Sequence, residues 1–199
     1  MRQRTLGILI GGSSHVGKST LANRLALELN RELVSTDCLG RHPGRPWPNL
    51  RPQVAEYYSS LCDDTIHWFL KVHHENMWPR IRQVIECFQL QATPFIVEGA
   101  ALRPEYMAQL DPNLARMVFL YAESDFLRAR MRREAGYDNV ERSMLPIIDK
   151  FIERSLRENE EMHEAARAAT IPCFDVATPE TVDTLVEKLI GEALPVSSR

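Results

Sequence analysis

The segment GGSSHVGKST, residues 11–20, constrains the fold of this chain more than any other segment. Residues 12–19 match the pattern G-x-x-x-x-G-K-[ST]. An apolar run, residues 6–10, precedes the pattern, and leucines spaced four residues apart follow it. The glycines let the backbone curl so that successive N–H groups point at an anion, and a helix that begins at Lys18 adds its positive end. The sequence therefore predicts a strand, a phosphate-binding loop and a helix in immediate succession.

This pattern predicts a role for each residue of the loop. We expect Lys18 to contact the β- and γ-phosphates as a catalytic residue, and the Ser19 hydroxyl to ligate Mg²⁺. His15 occupies a variable position, where we expect an exposed side chain without a direct role. The alternative is a connecting turn with a surface lysine. The predicted nucleotide-binding residues are Gly12, Ser13, Ser14, His15, Val16, Gly17, Lys18, Ser19 and Thr20.

Five short apolar runs predict strands, and helical patterns separate them. Continuous apolar strands that alternate with helices are typical of an α/β fold whose parallel sheet is covered on both faces. Residues 38–52 and 136–143 fit no regular element, and Pro79 predicts a kink or a second start in a long helix. The predicted strands are residues 5–10, 32–36, 94–98, 116–122 and 171–176; the predicted helices are residues 18–30, 63–91, a short one after 104, 124–135, 140–169 and one from 178.

Composition limits the classes of function. The 199 residues carry a net charge of −3, so no overall basic field favours nucleic acid, and we expect no nucleic-acid partner. No apolar stretch approaches the length of a membrane span, so we expect no membrane contact. The four cysteines are scattered, which is typical of a reducing compartment, and we expect a cytoplasmic protein. We expect one domain, residues 1–199, as a monomer or homodimer.

Four segments together resemble the P-loop kinases of small molecules: GGSSHVGKST, STD after the second strand, IVEG at the end of the third, and the helix LRARMRRE. That superfamily includes nucleotide and nucleoside kinases, gluconate and shikimate kinases, chloramphenicol phosphotransferase and the zeta toxins. The resemblance implies a P-loop NTPase fold, with a five-stranded parallel sheet in the order 2-3-1-4-5, a small lid at about residues 128–143, and an acceptor site at the carboxyl ends of the strands.

The resemblance also implies an activity. An ATP- and Mg²⁺-dependent enzyme would transfer the γ-phosphoryl group to a hydroxyl of a small molecule: an anionic metabolite, a nucleoside or an antibiotic. No Asp-Gly-Phe-Pro-Arg motif is present, which argues against a nucleoside monophosphate. The nucleotide base is expected between the lid helix and the loop at residues 177–179, and GTP remains an open alternative to ATP.

Two carboxylates follow predicted strands. Asp37 ends the second strand, where similar kinases place the group that takes the proton of the acceptor hydroxyl; a capping residue of a turn is the alternative. Glu98 ends the third strand and would hold Mg²⁺ through water or bind the acceptor; the alternative is a strand-end acid that faces solvent.

Arginines cluster in the two irregular regions. In the lid helix, Arg128 and Arg132 share one face and are the predicted catalytic arginines, while Arg130 and Arg133 share another. A solvated basic face is the alternative. The loop at residues 38–52 follows Asp37, and its arginines would recognise an anionic acceptor through carboxylate- or phosphate-matched forks; Trp47 offers a flat apolar face. The alternative is a proline-stiffened surface loop. The predicted acceptor-binding residues are Asp37, Arg41, Arg45 and Glu98, with Arg51 as a further candidate.

Two other functions are alternatives to a kinase. His67, His73 and His74, near Asp63 and Asp64, would suggest a metal site, but no pattern such as H-E-x-x-H is present, so we expect structural or solvated histidines. A P-loop also serves proteins that hydrolyse nucleotide as a switch. The Asn-Lys-x-Asp motif that reads guanine is absent, and the two arginine-rich segments favour an acceptor site instead.

Overall fold

The computed structural model describes residues 6–41 and 44–193. The beginning of the first predicted strand and residues 42–43 of the predicted acceptor loop lie outside the described residues. None of the described helices is long and apolar enough to cross a membrane.

The sheet consists of five parallel strands in the order β2-β3-β1-β4-β5. The predicted strands and their order are confirmed, and the boundaries differ by one to two residues. Ile10 of β1 pairs with Glu98 of β3 and with Val118 of β4, so the carboxyl end of β3 lies beside the start of the phosphate-binding loop. The strands are β1 (Gly7–Gly12), β2 (Glu32–Ser35), β3 (Phe95–Glu98), β4 (Ala115–Tyr121) and β5 (Cys173–Asp175).

Helices cover both faces of the sheet, as predicted. Ile8 and Ile10 of β1 face one apolar cluster, which includes Leu21 and Leu25 of the first helix, and Leu9 faces the other. This alternation buries all six residues of β1. The α-helices are α1 (Lys18–Leu29), α2 (Pro52–Ser60), α3 (Asp63–Leu90), α4 (Pro104–Met107), α5 (Ser124–Ala135), α6 (Leu145–Ala168) and α7 (Pro179–Ala193).

Three helix predictions need correction. α3 continues through Pro79 as one helix, so the second start is wrong, while a kink at Pro79 stays a prediction. Trp78 and Ile81, on either side of Pro79, are both buried in the same apolar cluster. α2 was not predicted, because only Val54 and Tyr58 of its nine residues are buried and its apolar signal is short. α6 begins at Leu145 rather than near residue 140.

Candidate functional site

The phosphate-binding loop connects β1 directly to α1. β1 ends at Gly12 and α1 begins at Lys18, so the predicted succession is confirmed. Gly12 and Gly17 have φ angles of 144° and 85°, which residues other than glycine rarely adopt. His15 has a φ of 66°, a left-handed conformation at the tip of the loop. The backbone therefore turns sharply in front of the positive end of α1.

Hydrogen bonds hold the base of this loop against α6. Ser13 Oγ donates to Asn159 Oδ1 at 3.2 Å, and Asn159 Nδ2 donates to the carbonyl of Ala122 at 2.9 Å. Lys18 Nζ donates to the carbonyl of Ser13 at 2.6 Å. Burial lowers the pKa of Lys18, while the nearby carboxylates of Glu98 and Asp37 act in the opposite direction. Lys18 thus lies between the loop and two acids that end neighbouring strands.

An open cleft of about 290 Å³ lies in front of the loop. Asp37 enters it from a short 3₁₀ turn, Thr36–Cys38, that follows β2 directly. Glu98 enters it from the last position of β3. The loop itself contributes Ser14, His15, Gly17, Lys18, Ser19 and Thr20. The structure therefore brings Lys18, Ser19, Asp37 and Glu98 together, as the sequence predicted.

Close packing brings the ends of β2 and β3 together. Gly99 has a φ of 151°, and a Cβ at this position would overlap Thr36 Oγ1. Only glycine lets the two strand ends approach this closely. The Glu98 side chain is buried, with 4% of its surface exposed, so the alternative of an acid that faces solvent is wrong. Asp37 is exposed at the mouth of the cleft.

The lid arginines are placed differently from the prediction. Arg128 binds the Glu153 carboxylate on α6, and Arg132 lies over the ring of Tyr137, 3.7 Å from an Asp149 oxygen. Neither lines the cleft. Arg130 does, because it lies about 200° around the helix axis from Arg128. The shared face of Arg128 and Arg132 was identified correctly, but it packs against acids of α6 and not against the phosphate-binding loop.

The turn after α5 is anchored to α6. Gly136 ends α5 with a φ of 62°, as predicted, and the Tyr137 hydroxyl donates to the Asp149 carboxylate at 2.8 Å. Closure of the lid at residues 128–143 stays a prediction.

The loop of the predicted acceptor arginines is fastened to α5. Arg45 binds the Glu134 carboxylate, and Trp47 Nε1 donates to the same carboxylate at 3.4 Å. Arg45 lines the cleft, whereas Arg41 and Arg51 do not. Trp47 offers no face to a ligand, because it is 8% exposed and its ring contacts Phe151 edge-on at 4.9 Å.

The expectation of an exposed His15 is wrong. Its side chain is 2% exposed, with Nε2 3.1 Å from a Glu134 oxygen and the ring between Trp47 and Phe151. Burial lowers the pKa of His15 to about 4, although the Glu134 carboxylate acts to raise it. A neutral imidazole therefore joins the phosphate-binding loop to α5 and to the proline-rich loop at neutral pH.

The wall of the cleft that α3 and α6 form was not predicted from the sequence. His73, His74 and Met77 of α3, with Arg154 and Glu158 of α6, line this side. Glu158 is 1% exposed, and burial raises the pKa of its carboxyl group. A signal was present: Glu158 lies seven residues after Phe151 and four before Met162, both of which are buried on the apolar face of α6. A charged residue at a core-facing position indicates a site.

A second cavity of about 120 Å³ lies beside the loop. Apolar side chains dominate its lining, and Arg130 lines both this cavity and the cleft. Val176, which follows β5, lines this cavity. It directly precedes residues 177–179, beside which the resemblance predicts the nucleotide base. The apolar lining residues are Val16, Leu21, Leu120, Val176, Val182 and Leu185.

The donors in the cleft fit a magnesium–nucleotide complex. Mg²⁺ prefers oxygen ligands, and the cleft offers the Ser19 hydroxyl with the carboxylates of Asp37 and Glu98. The histidines of α3 face acids of α6 instead: His67 Nε2 is 2.9 Å from Glu161 and His74 Nδ1 is 3.6 Å from Glu158. Over residues 6–41 and 44–193, no group of three or more histidine, cysteine, aspartate or glutamate side chains is placed to hold a metal ion.

Comparisons with known proteins identify the fold. No protein-family model matches the chain, and no curated protein matches it. An unliganded sugar kinase from Janibacter sp. HTCC2649 has a TM-score of 0.52 and 17% identity, over 94% of this chain and 93% of that one. Deoxyadenosine kinase from M. mycoides with bound dATP has a TM-score of 0.51 and 15% identity, over 94% and 98%. The predicted resemblance to P-loop small-molecule kinases is confirmed for the fold.

Proposed function

We propose that this protein is a kinase that transfers the γ-phosphoryl group of ATP to a hydroxyl of a small molecule. The observation that carries the proposal is that Lys18 and Ser19 of the phosphate-binding loop share one cleft with Asp37 and Glu98. Phosphoryl transfer to an acceptor needs, beside the loop, a polar wall that binds the acceptor. The cleft has that wall, contributed by α3 and α6.

Each residue has a role in this reaction. The loop N–H groups and Lys18 bind the β- and γ-phosphates, and Lys18 offsets the negative charge that spreads over the transferring group. Asp37 orients the acceptor hydroxyl and takes its proton as the oxygen bonds to the γ-phosphorus. The bond from that phosphorus to the β–γ bridging oxygen breaks, and ADP leaves. The Ser19 hydroxyl and, through water, the Glu98 carboxylate would hold Mg²⁺, which would supply positive charge to offset that of the phosphates.

The proposal includes the position of the nucleotide. The base would occupy the apolar cavity between α1, α5 and α7, where Arg130 reaches both the base and the phosphates. Phosphoryl transfer needs positioning and electrostatic stabilisation more than covalent chemistry, so an arginine shared by the two cavities suits it. A cytoplasmic location remains part of the proposal, and it agrees with four cysteines that are all free thiols.

The experiment is a screen for acceptor-dependent ATP consumption, followed by mass spectrometry of the acceptors. We expect slow hydrolysis with ATP and Mg²⁺ alone, faster consumption when the acceptor is added, and a product that has gained one phosphoryl group. Consumption that no acceptor accelerates, with inorganic phosphate as the sole product, would favour the nucleotide-hydrolysing switch and contradict the kinase.

A further inference from the structure

One oxygen of a buried carboxyl group on the cleft wall has no hydrogen-bond partner among the described residues. Glu158 is 1% exposed and lines the cleft. Within the described residues, its Oε1 atom has no hydrogen-bond partner, and the 3.6 Å to His74 Nδ1 is too long for one. Buried carboxyl oxygens in folded proteins nearly always accept a hydrogen bond. This oxygen is therefore placed to accept one from a ligand in the cleft.

A donor lies one helical turn away on the same wall. Arg154 Nη2 donates to Ser155 Oγ at 3.1 Å, and its guanidinium lies 4.7 Å from the centre of the Phe151 ring. Its Nε atom is buried and has no hydrogen-bond partner in the part of the chain that the structure describes. Residues four apart on a helix are neighbours on one face. The wall thus presents an acceptor and a donor side by side.

The charges of the wall disfavour an anionic ligand. Of the predicted anion-binding arginines, Arg41 does not line the cleft, and Arg45 lines it but binds the Glu134 carboxylate. What remains on the acceptor side is the Arg154 guanidinium, against the carboxyl groups of Asp37 and Glu158. An anion would meet one guanidinium and two carboxyl groups there. A hydroxyl group can donate to the carboxyl groups and accept from the guanidinium.

The wall also disfavours a nucleoside. Phe151 is the one phenyl, phenol or indole side chain among the described lining residues. It is 2% exposed, Arg154 covers its face, and the Trp47 ring contacts it at 4.9 Å. Among the described lining residues, no phenyl, phenol or indole face is therefore open for a base to stack on.

We infer that the acceptor is a neutral polyol with at least two hydroxyl groups. One hydroxyl donates to Glu158 and a neighbouring oxygen accepts from Arg154, which directs another hydroxyl toward Asp37 and Lys18. The phosphorylation of this molecule depends on the proposed function, whereas its binding can be measured separately.

The experiment is calorimetry with neutral three- to six-carbon polyols, in the presence of Mg²⁺ and a non-hydrolysable ATP analogue. D-sorbitol and D-gluconate are a matched pair, because they share a six-carbon hydroxylated chain and differ in the carboxylate at one end. Adenosine tests the nucleoside alternative. We expect at least one polyol to bind. The acid that matches it, with a carboxylate at one end, should bind at least about tenfold more weakly, and adenosine should not bind at this site.

Glu158→Gln keeps the size of the side chain and replaces one carboxyl oxygen with an amide NH₂ group. We expect polyol affinity to fall roughly tenfold or more, as for the loss of a buried hydrogen bond, with nucleotide affinity unchanged. Glu160→Gln is the matched control, because this exposed acid on the same helix bonds Ser124 Oγ instead. If Glu158→Gln fails to fold, Arg154→Gln is the second variant. It removes the guanidinium Nε donor and should weaken the binding of the same polyol.

The outcomes separate this inference from the proposed function. Polyol binding that Glu158→Gln weakens, with no phosphorylated polyol under ATP, would overturn the kinase and keep the polyol site. Transfer to D-gluconate or adenosine in preference to every polyol would overturn the polyol site and keep the kinase. Failure of all the polyols to bind, or affinity that neither variant changes, would also overturn the inference.

Discussion

The phosphate-binding loop and the α3–α6 wall of the cleft are built in different ways. The loop is one continuous segment between β1 and α1, and its backbone N–H groups would provide much of the proposed anion site. The wall is assembled from α3 and α6, with His74 and Glu158 3.6 Å apart in space but far apart in the chain. A contiguous site is visible in residue spacing, whereas an assembled site becomes visible only when the helices are packed.

Among these variants, Lys18→Ala should have the largest effect on turnover, because it removes the one lysine of the phosphate-binding loop. A cation on the transferring phosphoryl group is worth roughly 10³–10⁵ in rate, so we expect turnover to be nearly abolished. Circular dichroism and thermal unfolding should remain close to wild type. Wild-type kcat/KM in this variant would mean that the loop is not the phosphate site.

Asp37→Asn tests the junction between the loop and the wall. Asn keeps the shape of the side chain and removes the proton acceptor, so transfer should fall by roughly 10²–10⁴-fold while ATP affinity is kept. Nucleotide binding by calorimetry and transfer by product formation would be measured on the same preparation. Weaker ATP binding at an unchanged kcat would move Asp37 to the nucleotide side.

Arg130→Ala and Arg128→Ala form a matched pair on α5. Arg130 lines both cavities, so its loss should lower transfer by about 10–100-fold, equivalent to a hydrogen bond to a charged group. Arg128 binds Glu153 on the outer face, so its loss should leave transfer close to wild type. Steady-state kinetics of both variants would measure this difference. A larger loss of transfer in Arg128→Ala than in Arg130→Ala would support Arg128 as the catalytic arginine, as predicted from the sequence.

His15→Asn should have the smallest effect, on stability alone. Because the pKa of His15 is lowered from 6.5 to about 4, the unfolded chain binds more protons between these pH values. The contribution of a neutral His15 is therefore complete above pH 6.5 and is lost as the pH falls toward 4, by about 3 kcal/mol at most. Asn tolerates the left-handed backbone at this position and does not titrate.

Urea unfolding of the wild type and of His15→Asn at pH 5 and pH 7 would measure this difference. We expect the wild type to lose more stability at pH 5 than the variant does. Parallel losses in the two proteins would show that His15 is not buried as a neutral group.

The sequence predicted the sheet better than the side-chain environments. Continuous apolar runs and helical spacing identified the five strands, because both are local patterns in the sequence. The order of the strands came from the resemblance. The burial of His15 could not be predicted, since it depends on Trp47 and Phe151, which come from distant segments. The choice between Arg128 and Arg130 failed for the same reason: helix periodicity separates the two faces, but only the packing of α6 shows which one faces the loop.

The fate of the γ-phosphoryl group in water labelled with heavy oxygen tests the central claim most directly. The account predicts that, with its acceptor present, the protein forms one phosphorylated acceptor for each ADP. None of the oxygens of that phosphoryl group would carry the label, because the attacking oxygen comes from the acceptor hydroxyl at the Asp37 end of the cleft. Labelled inorganic phosphate in equal amount to ADP, whatever alcohol is present, would show that water is the acceptor and would contradict the account.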